Sequence, residues 1–170
     1  YQVQMVRGRV YALVNLMAGD PGRDVLLAFA RAAAEAIPAA EPPAVLEQLP
    51  TEGRVAGTER VIRGPFTLQE LVTLGEGDVL GLGGGVTAVA ADYRVEVQEE
   101  PVTRILVPDG DAEHATAALE HLRANLDAYL EVVTDDADRL VLEDHAGRHI
   151  TVERVDDRLE LRLGLVHAPE

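Results

Sequence analysis

The chain has no cysteine, serine, lysine or tryptophan. Without cysteine there is no disulfide framework, no thiolate metal site and no thiol nucleophile. Without serine a Ser-His-Asp triad is excluded outright. Aromatic residues make up only 4% while hydrophobic residues make up 47%, so the core has to be built mainly from Val, Leu, Ile and Ala. Long apolar runs are also missing. Residues 10–18 are far too short and interrupted to span a bilayer, and no segment reads as a signal peptide. Because the first residue is Tyr1, a leader removed upstream is compatible with the chain.

Basic residues are scarce: 15 arginines stand against 30 acids, for a formal charge of −15. A surface of that sign repels phosphate backbones, so nucleic acid is not an expected partner. The exclusive use of Arg reads as codon bias, although Arg is also the better bidentate binder of carboxylates. At 170 residues the chain suffices for one compact domain or two small, closely packed ones.

What is present is periodicity. Residues 1–17 alternate as a hairpin, with Met5 placed opposite Val10 and Arg7-Gly8 turning between the strands. Asp20-Pro21 offers an N-cap and a first-position proline, and Leu26, Phe29, Ala30, Ala33 and Ile37 recur at helical spacing until Pro38 stops the helix. Residues 38–43 are proline-rich and extended, the best internal linker. A short strand is expected at 60–63, then a short helix opened by the capping box Thr67-Leu68-Gln69-Glu70 and closed by Gly75.

A second hairpin is expected at 86–97 and 102–107, followed by a helix capped by Asp109 or Asp111. Its apolar stripe is Ala115, Ala118, Leu119, Leu122, Leu126, Tyr129, Leu130 and Val133, which predicts a helix reaching beyond residue 130. Strands at 139–144, 148–155 and 158–165 then make a three-stranded meander. Leu142 is set opposite Ile150, Ile150 opposite Leu163 and Val152 opposite Leu161, with Gly147 in the first turn and Asp156-Asp157 in the second. Strand, short acidic turn and amphipathic helix thus occur twice, consistent with duplication of a ββα unit or with convergence on a common motif. The expected class is α+β: two ββα-type units with antiparallel sheets packed against amphipathic helices, and a C-terminal meander. Residues 1–37 form the first unit, 38–63 a linker and connector, and 64–170 the second unit.

Few residues suggest chemistry. The glycines from Gly75 to Gly85 lack the Lys-Ser/Thr of a P-loop and precede a strand pattern rather than a helix, so both standard phosphate motifs fail and a structural turn is the first expectation. The acids Asp109, Asp111 and Glu113 suit helix capping better than a calcium loop, whose obligatory glycine position holds His114. His114 and His121 lie about 10 Å apart along a helix, too far to chelate one ion alone. His149 pairs with Glu143 across the meander, and Asp135, Asp136 and Asp138 read as a solvated acidic turn. No metal ligands and no cofactor are expected. If a ligand is held, the candidates are Gly83, Gly84, Gly85, Tyr93 and Arg94.

Several stretches occur in a telling order: Arg7-Gly8-Arg9-Val10-Tyr11, the helix at 25–37, the run Pro42-Pro43-Ala44-Val45-Leu46-Glu47-Gln48-Leu49-Pro50, then Gly64-Pro65-Phe66 and Ala88-Val89-Ala90-Ala91-Asp92-Tyr93. This order resembles the C-terminal part of a bacterial family described as a domain of unknown function, whose members often carry export or lipoprotein signals. The resemblance covers most of the chain through short motifs. It implies a longer parent with further N-terminal strands and an extracytoplasmic setting, and it supplies no catalytic residue. The combined expectation is a non-catalytic extracytoplasmic binding or protein-interaction module, with sheet edges open to a protein partner or a second copy. The alternatives are a metal-assisted or acid/base hydrolase using His149, Glu143 and nearby aspartates, and a structural part of an envelope assembly.

Overall fold

The structure is a computed structural model that describes residues 2–7, 10–15, 19, 22–38, 41 and 43–168. It divides into two compact units, Tyr1–Ala44 and Val45–Glu170. The boundary falls inside the expected connector, whose later part supplies a strand of the larger unit.

The smaller unit pairs β1 (Gln2–Arg7) with β2 (Val10–Asn15) and adds α1 (Arg23–Ala36). Met5 stands opposite Ala12 and Arg7 opposite Val10, two residues from the expected register. A shift of two preserves side-chain parity, so Val3 and Met5 still share a face with Val14 and Ala12. The turn residue Gly8 and the cap pair Asp20-Pro21 lie outside the described residues, and α1 is entered through Gly22 at φ 83°. Leu26 and Ala30 are buried but Phe29 is 66% exposed, which corrects the expected stripe. At 100° per residue Phe29 sits about 60° to the side of Leu26, at the margin of the buried arc. Ile37 turns extended before Pro38 and ends the helix where expected.

The larger unit is a seven-stranded antiparallel sheet. In chain order come β3 (Arg60–Arg63), α2 (Pro65–Gln69), β4 (Thr87–Tyr93), β5 (Val102–Pro108), α3 (Ala112–Ala124), β6 (Glu131–Asp136), β7 (Arg139–Glu143), β8 (His149–Val155) and β9 (Arg158–Leu165). Across the sheet the order is β3-β4-β5-β9-β8-β7-β6. The chain leaves β5 through α3, starts again at the far edge, and returns by hairpins until β9 pairs with β5. One face buries Ile62, Ala88, Ala90, Ile105, Val107, Leu140, Leu142, Ile150, Val152, Leu159 and Leu161 together with Leu119 and Leu122 of α3 and Leu68 of α2. A smaller second core on the opposite face joins Val89, Ala91, Tyr93 and Leu106 to Leu49, with Val45 and Leu46 of the 3-10 turn Ala44–Gln48 packed against it.

The meander registers match expectation: Leu142 with Ile150, Ile150 with Leu163, Val152 with Leu161. Gly147 supplies the required left-handed residue, at φ 72°. Three expectations are corrected. First, α3 stops at Ala124; Asn125 leaves helical geometry, and Val132-Val133-Thr134, a β-branched run, forms β6 instead. The meander therefore has four strands, and the structure is more sheet-dominated than a balanced pair of ββα units. Second, α2 begins at Pro65 behind Gly64, so Thr67 lies within the helix, where its hydroxyl donates to the Arg63 carbonyl at 3.0 Å. Third, Gly75 does not cap that helix. A Cβ there would stand 2.0 Å from the Asn125 carbonyl, so glycine is what lets this loop pass against the end of α3.

Candidate functional site

The candidate ligand residues lie at opposite ends of β4. Gly83 and Gly84 close a 3-10 turn just before the strand, whereas Tyr93 and Arg94 follow about 20 Å away along it. The fold does not bring them together. The glycine turn already holds an anion of its own: the Asp78 carboxylate accepts from the Leu82 N–H at 2.7 Å and from the Gly83 N–H at 2.5 Å. Beside it an open concavity of about 410 Å³ is lined by Arg63, Gly64, Gly83, Gly85 and Thr87 among others.

Tyr93 is buried, and its hydroxyl donates to the Pro50 carbonyl at 2.9 Å. Arg94 donates its backbone N–H to Gly53 at 2.8 Å, and the Val55 N–H donates to Asp92 at 2.8 Å. These bonds fasten residues 49–55 alongside β4. Burial pushes the Tyr93 phenol above its usual range.

The carboxylates and histidines are mostly engaged locally. Asp111 caps α3 by accepting from the His114 backbone N–H at 2.9 Å, which holds its carboxyl below the usual range, and a second contact, of the His114 ring Nδ1 with the same carboxylate at 2.9 Å, raises the imidazole. Asp109 is different: burial pushes its carboxyl up to about 6, and its Oδ2 is buried without a hydrogen-bond partner. Asp135 pairs with Arg123 at 2.8 Å and Asp138 with Arg154 at 2.5 Å, so the acidic turn is dispersed among arginines. His149 stands opposite Glu143, 3.6 Å away. Among the described residues no set of three His, Asp or Glu side chains sits close enough to hold a metal. No described helix is long and apolar enough to cross a membrane.

On the face opposite α3, Glu160 of β9 is buried and accepts from Arg104 and from Arg158 Nε at 3.0 Å. Burial raises its carboxyl, but the two guanidinium groups outweigh this and leave it below the usual range.

The feature most open to another molecule is the β6 edge, which the expected long helix had hidden. Tyr129 is 81% exposed, Val132 52% and Val133 45%. The register steps by one residue between Val132 and Thr134, so Val133 is an inserted bulge residue. The signal that locates this strand in the sequence is the β-branched run after Asn125, which the helical periodicity overlaid.

Compared with protein-family models, curated proteins and solved structures, the chain finds no match.

Proposed function

We propose that the protein is a non-catalytic interaction module that takes an extended segment of a partner along the outer edge of β6. The observation supporting this is a six-residue edge strand that pairs on one side only, with Val132 and Val133 exposed on it and Tyr129 exposed just before it. An edge presents main-chain donors and acceptors to an added strand, and the side chains on either face supply specificity. The resemblance to an exported family favours an extracytoplasmic partner. The hydrolase alternative has only the His149–Glu143 pair behind it.

Selection of displayed random peptides tests the proposal. Wild-type protein is the target, and Val133→Pro is the counter-target, since proline is tolerated at an edge bulge yet removes a main-chain donor. Enriched peptides should bind the proline variant at least about tenfold more weakly, a loss of about 1.4 kcal/mol. Failure to enrich any peptide, or enrichment indifferent to the proline, would overturn the proposal.

A further inference from the structure

We infer that the β6 edge accepts an extended segment alternating basic and apolar residues, and not a second copy of this chain. The inference rests on the edge reading just proposed and names its occupant. Val132 stands opposite Leu142, which is buried in the core with α3, so Val132 lies on the α3 side of the sheet. Tyr129 lines an open concavity of about 410 Å³ with Asn125 and Leu126 at the end of α3, placing it on that side too. Beyond the bulge Asp135 also faces α3, where Arg123 engages it at 2.8 Å.

Glu131 and Asp136 have the opposite parity, standing across from Glu143 and Arg139. Neither carboxylate has an ion-pair partner among the described residues, whereas Arg139 is taken by Glu153 at 3.3 Å. Glu131 and Glu143 form a like-charge cross-strand pair, which is unfavourable until a cation comes beside it. Side chains of an added strand alternate between the two faces. Such a strand therefore meets Val132 and Tyr129 on one face and unpaired carboxylates on the other. Apolar residues toward α3 and arginine or lysine on the other face satisfy both.

A second copy fits poorly. Antiparallel pairing of two β6 strands over their full length sets Glu131 opposite Asp136 twice, between chains that each carry −15.

The probe is a short labelled peptide of alternating arginine and valine. Its controls are a peptide of the same composition with arginines and valines in separate blocks, and an alternating glutamate–valine peptide. Wild-type protein should bind the alternating basic peptide at least about tenfold tighter than the block peptide, because bulk charge attraction is equal for the two. The double variant Glu131→Arg, Asp136→Arg should reverse the preference toward the glutamate–valine peptide. Both positions are exposed, so this variant should melt like wild type and keeps the test independent of how Val133→Pro folds. Equal binding of alternating and block peptides, or no reversal in the double variant, overturns the inference. So does a dimer by light scattering that Val133→Pro abolishes. Edge-dependent peptides selected without basic alternation overturn it while leaving the edge reading standing. The absence of any edge-dependent peptide removes both.

Discussion

The two edges of the large sheet are built differently. At the β3 edge, four residues of strand are flanked by residues 53–55, which bond β4 further along, while residues 56–59 loop out between the two segments. The Thr58 hydroxyl accepts from the Asp92 N–H at 3.0 Å, and the Asp92 carboxylate accepts from Arg60 at 3.2 Å and from Thr103 at 2.7 Å. Ile62 is fully buried there and Tyr93 anchors the flanking segment. At the β6 edge the strand is longer, its valines are exposed, and its only interruption is the bulge at Val133. Short strands covered by neighbouring segments are a usual protection against unwanted pairing, whereas the acids of the longer β6 edge restrict which strand can pair there. The contrast implies that pairing is prevented at β3 and permitted at β6.

On the proposed reading, substitutions at the β3 edge should cost stability, and substitutions at β6 should cost binding. The largest effect is expected for Tyr93→Ala. It removes the aromatic centre of the smaller core and the bond to Pro50, and should cost about 3–5 kcal/mol in urea unfolding. A loss below about 1 kcal/mol would mean that residues 49–55 are not held by Tyr93, and the β3 edge would no longer count as sealed. Asp92→Asn should cost about 1–3 kcal/mol, because the carboxylate ties Arg60 of the edge strand to Thr103 of β5. Since Arg60 is partly exposed, that cost should shrink as salt rises.

The strand at 60–63 and the β7-β8-β9 pairings of Leu142, Ile150 and Val152 were legible in the sequence, because alternation and turn chemistry point the same way, whereas the 53–55 segment that extends the β3 edge and the register shift at His149 were not. Gly147 and Asp156-Asp157 leave few ways to close the hairpins, and a one-residue slip would expose Ile150 and Val152. The β6 edge was not legible for a physical reason. Leu126, Tyr129, Leu130 and Val133 continue the period of α3, so a helical stripe and an exposed edge strand compete for the same residues. Asn125 and the β-branched run decide it locally, and pairing of β6 with β7 completes the outcome. Among the candidate glycines the legible contact is equally local: Asp78, five residues upstream of Gly83, accepts from the Gly83 amide.

A smaller effect is expected from pH, and it sharpens the comparison because the responsible group sits at the end of central β5, away from both edges. Asp109 has a folded-state value of about 6 against an ordinary 3.8, so the folded chain holds this proton more tightly than the unfolded one. The sign follows: stability from this group is fully present below pH 3.8 and is lost as pH rises toward about 6, with no further change above. Asp109→Asn should therefore gain about 1 kcal/mol over wild type at neutral pH, allowing for screening of a partly exposed group. The gain should vanish near pH 3.8. Glu160 acts in the opposite sense, losing stability as pH falls through its lowered value, but it is common to both proteins and cancels in their difference. A gain independent of pH would assign the effect to packing rather than to the carboxyl.

The smallest stability change should come from the β6 edge itself. Val133 is exposed and inserted at a bulge, so Val133→Thr retains β-branching and removes little buried area, and its unfolding midpoint should stay within about 0.5 kcal/mol of wild type. Amide exchange provides the finer reading. Residues of β6 should exchange through local opening well below the global unfolding free energy, while β4 amides facing β3 and residues 53–55 should approach it. Adding an edge-binding peptide should protect the outward-facing amides of β6, while β4 should slow by no more than the gain in global stability that binding brings. Equal protection of the two edges in the free protein would mean that the exposed strand is as well sealed as β3, and the distinction between them would fail.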